Sequence, residues 1–246
     1  EEPIKRETDF VGRKNELNRI MGKILKGQNV LLFGTNGTGK SSILYNIRKV
    51  CLPAAYSDDN QHLGKFYAVE LKFDIDCTER NVLESMIHAV SGAALFKVFV
   101  KRNGSEETQD ILALAVDEWT ANVEKMFDDN GVCTNTDAVR QYFVTLDEAL
   151  SLSNLDLYIL IDQFERVISS KNIDSRHMLF LRDLTCQKIR FIMAGSNYLL
   201  EEVSVDKINN QQDNSWSDIF SRGFEKVKIG NMDQEDFELL ITQKNA

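Results

Sequence analysis

Histidine and cysteine are scarce in this chain: its 246 residues include three histidines and four cysteines. Cys51, Cys77, Cys133 and Cys186 lie far apart, with no CxxC pair and no Cys/His cluster, which leaves little room for a zinc site. All four are expected to be free thiols, buried or partly buried, in a reducing compartment. Apolar runs long enough to span a bilayer are missing, as is a signal peptide, and a cytoplasmic protein is expected. Positive charge is not in excess either. With 29 basic and 38 acidic residues the net charge is −9, which argues against broad electrostatic attachment to nucleic acid or anionic membrane while leaving room for a local basic patch. Repeats and low-complexity tracts are absent apart from the short polar stretch 209–215. The chain begins at Glu1 rather than methionine, as a piece of a longer protein would.

The remaining composition is that of a globular protein, with 43% apolar and 27% charged residues. The length suits one large α/β domain or two small ones with a substantial core.

One stretch organises the rest. Within Leu31–Ser42, Gly34, Gly39, Lys40 and Ser41 fit the pattern G-x-x-x-x-G-K-[ST]. A triphosphate is wrapped closely only by backbone N–H groups with no side chain in the way, and glycines give that access. The helix starting near Lys40 turns its positive end to the phosphates, and Lys40 adds a mobile charge. Ser41 offers a hydroxyl to magnesium, which prefers oxygen ligands. Asn36, Gly37, Thr38, Gly39, Lys40, Ser41 and Ser42 are thus the candidate nucleotide-binding residues. The context agrees: Asn29 to Phe33 is strand-like, and Ile43, Leu44, Ile47 and Val50 repeat at helical spacing.

Leu17, Ile20, Met21, Ile24 and Leu25 predict an amphipathic helix ahead of that strand, closed by Gly27. The helix after the loop is expected to end near Leu52-Pro53. Phe66 to Phe73 reads as a second strand, followed by a helix through Val82, Leu83, Met86, Ile87 and Val90. From about 91 to 152 the chain reads as helical. Ile111, Leu112, Leu114, Ala115, Trp119, Val123 and Phe127 form one apolar stripe, and Val139, Tyr142, Phe143, Leu146 and Leu150 another; both are read as core. Leu157 to Asp162 has the profile of a central parallel strand, Ile189 to Asn197 repeats it, and Phe224 to Ile229 is one more. Asp233 caps a closing helix through Phe237, Leu240 and Ile241. Alternating strands and helices predict a parallel sheet with helices on both faces.

Ligands of open α/β sheets sit beyond the carboxyl ends of the strands. Asp162 at such an end suits magnesium, paired with Ser41. Asn197 suits orientation of the attacking water or sensing of the γ-phosphate, with helix capping by Ser196 or Asn197 as the competing role.

Phe10-Val11-Gly12-Arg13 with Glu16-Leu17, the loop Gly34 to Ser42, and Leu160-Ile161-Asp162-Gln163-Phe164-Glu165 together resemble the STAND class of P-loop ATPases. Ala194-Gly195-Ser196 and Ile229-Gly230-Asn231-Met232-Asp233 also resemble that class and its archaeal AAA+-like relatives. The resemblance implies a three-layer sandwich on a five-stranded parallel sheet, order 5-1-4-3-2, and the start of a helical lid at 233–246; the helical stretch at about 91–152, read from its own residues, is then an insertion between strands 2 and 3. The resemblance also implies ATP and ADP as ligands with Mg²⁺, Val11 and Arg13 toward the adenine end, and slow, switch-like hydrolysis coupled to self-association or to assembly with effector and sensor partners. Many relatives carry Glu directly after the magnesium Asp, where this chain has Gln163, an amide that cannot accept a proton. Glu165 is the nearest acid: in an extended segment residues 163 and 165 share a side and Glu165 reaches the same water, whereas if the chain turns there it does not. Arg222 stands where relatives often carry an arginine that reaches a neighbouring subunit's γ-phosphate, a surface arginine being the alternative.

Three other readings remain: a DNA-directed AAA+ ATPase of the origin-recognition or transposition-regulator type, a scaffold with permanently bound nucleotide, and a small-molecule kinase. The acidic balance tells against the first, and no acceptor-site or lid motif supports the last.

Overall fold

The computed structural model describes residues 12–56, 65–74, 76–92, 94–183, 186–196, 219–220 and 222–232, together with residues 234, 236 and 238. Five strands form one parallel sheet: β1 (Val30–Phe33), β2 (Lys65–Lys72), β3 (Leu155–Asp162), β4 (Ile189–Gly195) and β5 (Glu225–Lys228), in the order β2-β3-β4-β1-β5. This is the expected order read from its other edge, and it is the α/β arrangement of P-loop NTPases.

The sheet is buried on both faces, so its central strands are apolar throughout rather than alternating. Successive residues still separate into two cores. Leu31, Leu157, Ile159, Ile161, Ile189, Phe191 and Met193 pack on one face. Val30, Leu32, Tyr158, Leu160, Ile192, Ala194 and Val227 pack on the other. The second face is covered by α1 (Lys14–Ile24) and α2 (Lys40–Asn46) through Ile20, Ile24, Ile43 and Leu44. The first is covered by α4 (Glu79–Ile87), α5 (Ala94–Asn103), α6 (Glu106–Met126) and α7 (Thr136–Leu152), all lying between β2 and β3. Three layers result, with the helical insertion on one side.

Gly27 closes α1 as expected, with φ 82 and its N–H donating to the Ile24 carbonyl. The helical run after the phosphate loop passes Pro53, contrary to expectation. It continues through a π turn, Ile47–Cys51, into α3 (Leu52–Ala55). Pro53 falls in the first turn of α3, where a missing N–H is tolerated. The second apolar stripe holds, since Val139, Tyr142, Phe143, Leu146 and Leu150 are all buried. The first stripe is narrower than expected, because Leu114 is 69% exposed. Leu114 lies about 200° around α6 from buried Leu112, on the solvent side. The side chains of Ala115, Trp119 and Val123 lie outside the described residues. So do Asp233, Phe237, Leu240 and Ile241 of the closing helix, whose residues 234, 236 and 238 are helical. The four cysteines are free thiols, Cys77 and Cys133 buried and the other two half-buried, and burial raises the pKa of each. No helix among the described residues is long and apolar enough to cross a membrane.

Long connections are held by buried carboxylates. Glu79, 0% exposed at the start of α4, accepts the N–H of Cys133 and the N–H of Asp174, each at 2.7 Å. It thereby joins the turn before α7 to the segment after α8 (Glu165–Ser169). Removing the carboxylate strands two amides. Glu79→Ala is expected to lower unfolding stability by about 2 kcal/mol or more in urea titrations.

Candidate nucleotide site

The site begins with a close approach. β1 ends at Phe33, whose carbonyl accepts the Ile229 N–H at 2.7 Å, and the chain leaving β5 then crosses over Gly34. A Cβ on Gly34 would stand 2.2 Å from the Ile229 carbonyl oxygen, so a side chain here would force the β5 exit away. Past this point the loop turns on Gly37 (φ 83) and Gly39 (φ 86), left-handed backbone suited to glycine. Thr38 between them is buried, and its hydroxyl donates to the Thr35 carbonyl at 2.9 Å, while Thr35, Asn36, Gly37 and Gly39 are exposed.

Lys40 opens α2, and its Nζ donates to the Gly34 and Thr35 carbonyls, both at 2.9 Å. Its amino group therefore arches over the loop. Desolvation lowers the Lys40 pKa, opposed first by the charge of Glu165 and then by that of Asp162. Those two acids are thus the anions that act on the loop lysine. Ser41 is half-buried in the first turn of α2, and Ser42 is buried behind it.

Parallel register aligns the strand ends. Asp162 closes β3 and is 3% exposed; its Oδ1 accepts the Gln163 N–H at 3.0 Å and its Oδ2 stands 3.7 Å from Lys72 Nζ. Lys72, level with Asp162 at the end of β2, was not among the residues singled out from sequence. Its only sequence signal was a lysine at a strand end, which carries no information without the pairing. A buried carboxylate at a strand end and a hydroxyl in the first turn after the loop, both at the carboxyl end of the sheet, are the donor types that suit magnesium when phosphate oxygens supply other ligands. Among the described residues no group of three or more His, Cys, Asp or Glu side chains is arranged for a metal.

After Asp162 the chain does not stay extended. Gln163 is left-handed, with φ 55, the Phe164 N–H donates to the Ala194 carbonyl at 2.8 Å, and α8 starts at Glu165. Residues 163 and 165 therefore do not share a side as members of one strand. The turn nevertheless carries Glu165 to the tip of β4, where its Oε2 accepts the Ser196 N–H at 3.3 Å, and into range of Lys40.

Four further candidate residues complete the set. Val11 and Asn197 lie outside the described residues. Arg13 is 5% exposed, with its guanidinium among protein acceptors next to the loop. Arg222 is exposed in the helical turn before β5. Because Glu225 at the start of β5 pairs with Val30 at the start of β1, Arg222 lies beyond the sheet edge opposite the chain's own phosphate loop.

The sequence matches no protein-family model and no curated protein. Solved structures do resemble the fold. A Walker-type ATPase of Pyrococcus abyssi superposes with a TM-score of 0.56 at 13% identity, over 98% of this chain and 60% of that one. The Aeropyrum pernix ORC2 protein, in ADPNP–ADP complexes, gives 0.55 at 14% identity, over 99% of this chain and 53% of that one. The Aeropyrum pernix ORC1 protein, in complex with DNA, gives 0.52 at 14%, over 96% and 50%. The chain thus spans half to three-fifths of these relatives. The likeness establishes the P-loop NTPase fold.

Lys40 is the residue whose loss tests the loop as a phosphate site. Lys40→Ala is expected to weaken ATP·Mg²⁺ binding roughly tenfold or more in calorimetry, with the fold retained by circular dichroism. Wild-type affinity in this variant would remove the assignment.

Proposed function

We propose that this chain is the ATP-binding and hydrolysing module of an assembling P-loop ATPase, working as a nucleotide switch. The observation that carries this reading is that Lys40 over the loop after β1, Asp162 at the end of β3 and Glu165 on the Ser196 amide after β4 all stand at the carboxyl ends of adjoining strands. In this reading the N–H groups of Asn36 to Ser42 cradle the phosphates, and Lys40 exchanges its carbonyl partners for phosphate oxygens. Ser41 and Asp162 hold Mg²⁺, which supplies charge neutralisation at the β- and γ-phosphates when bound. Glu165 takes a proton from the attacking water, whose oxygen bonds to the γ-phosphorus as the bond to ADP breaks. Gln163 orients that water without accepting its proton, and Asn197 is proposed as a second polar contact. Val11 and the backbone of Arg13 are proposed to flank the adenine end.

For the partner of the switch, the origin-recognition type is supported by the fold likeness to the two Aeropyrum pernix ORC proteins, one of them in complex with DNA. The position of Arg222 supports a trans role, since it lies at the end of β1 and β5 opposite the chain's own loop. The STAND signalling reading stands second, on the Asp162-Gln163-Phe164-Glu165 sequence.

Two measurements test these assignments. A positioned general base contributes ~10²–10⁴-fold, so Glu165→Gln is expected to slow single-turnover hydrolysis at least roughly tenfold with ATP affinity little changed, and Gln163→Ala to cost less. A silent Glu165→Gln beside an inactive Gln163→Ala would transfer the step to Gln163. In the same assay, duplex DNA is expected to stimulate turnover by the wild-type chain. A rate indifferent to DNA at low salt would favour the STAND reading.

A further inference from the structure

Arg13 is a buried cation surrounded mainly by backbone carbonyls. Its Nη2 donates to the carbonyl oxygens of Thr38 (3.0 Å) and Gly230 (2.9 Å). Its Nη1 donates to Glu16 Oε1 (2.8 Å) and reaches the Asn231 carbonyl at 3.5 Å. The fork thus touches the phosphate loop, the turn after β5 and α1 at once. Its backbone N–H adds a fourth body, donating to Asp236 Oδ2 at 2.7 Å.

Two backbone features agree that this junction is built rather than incidental. Arg13 itself is left-handed, with φ 61, a conformation that a non-glycine residue keeps only when its surroundings enforce it. Gly12 before it has φ 76, and a Cβ there would stand 2.3 Å from Asp236 Cγ. The opening turn and Asp236 are therefore in direct contact.

We infer that Arg13 is a positioning residue that ties Thr38 of the phosphate loop to residues 230–236, so that nucleotide binding at the loop is felt by the segment following β5. This rests on the nucleotide reading of the loop. Thr38 is fixed on one side by its hydroxyl bond to the Thr35 carbonyl and on the other by Arg13, so the loop cannot shift at Thr38 without dragging the guanidinium. The guanidinium in turn cannot move without leaving the Gly230 carbonyl short of its donor. A planar fork is required. A lysine amine carries the charge but cannot span the Thr38 and Gly230 carbonyls and Glu16 together.

The test is hydrogen exchange of the amides at 35–39 and 230–238, with and without ATP·Mg²⁺, in wild type and Arg13→Lys. Calorimetry with ATP and with GTP accompanies it. In wild type, ATP·Mg²⁺ is expected to slow exchange at both segments. Arg13→Lys is expected to abolish the nucleotide-dependent change at 230–238 and to weaken ATP and GTP alike by roughly tenfold. Retained protection at 230–238, or a loss of ATP affinity with GTP unaffected, would overturn the inference, the second outcome marking a contact to the base. Should Arg13→Lys not fold, Asp236→Ala is the second variant: it is expected to erase the nucleotide response at 234–238 while the response at 230–232 and ATP binding persist, and an undiminished response at 234–238 overturns the tie. If wild type binds no nucleotide, the functional reading fails by itself. Exchange without nucleotide then decides the tie: Arg13→Lys must speed both segments together, and a change in only one overturns it.

Discussion

Everything at the candidate site depends on the absence of a side chain at Gly34. The carbonyl of Ile229 lies so near that a methyl group would collide with it, and the same backbone crossing lets Phe33 accept the Ile229 N–H. β5 is only four residues long and sits at the edge of the sheet, so little else fixes where the chain leaves it. Its exit seats the Gly230 carbonyl for Arg13, and Arg13 in turn holds Thr38. Steric access at one glycine therefore sets the shape of the loop from outside as well as from within.

The helical insertion is tied to this end of the molecule by fewer and more specific means. Its apolar residues share the large core on one sheet face, but direction along the sheet is set by polar contacts. Glu79 grips two backbone amides, and Asp147 of α7 accepts the N–H groups of Gln187, Lys188 and Ile189 where β4 begins. A buried carboxylate between amide donors is directional where hydrophobic packing is not. The register of β4, and with it the position of Ser196 opposite Glu165, is consequently linked to a helix far away in sequence.

The parts legible in the sequence were those written locally. Continuous apolar runs gave the sheet strands, the last acid of such a run gave Asp162, and the glycine spacing gave the loop and the start of α2. The strand order came from family resemblance and agrees with the structure. What stayed hidden depended on one backbone angle or on distant pairing. Gln163 adopts a left-handed angle that side-chain type does not announce, so the chain takes the turning path after Asp162 rather than the extended one, and the nearness of Glu165 to the tip of β4 could not be read from sequence. Lys72 meets Asp162 only because β2 and β3 pair in that register. Pro53 looked like a helix end because a π turn leaves no mark in sequence. Leu114 entered an apolar stripe on composition alone, although its angle on the helix points outward.

The placement of Arg222 restricts the symmetry open to any assembly that uses it. Phosphate loop and arginine occupy opposite ends of the paired strands β1 and β5. Copies set side by side about a twofold axis across the strands can each offer an arginine to the other's loop, whereas copies stacked end to end along the strands join one arginine to one loop. The end-to-end contact is head-to-tail, and repeating it generates a ring or an open helix with a direction. Such an array has one terminal copy with an unpartnered loop and another with an unpartnered arginine unless it closes. Polarity of the assembly would then be a property of a four-residue edge strand.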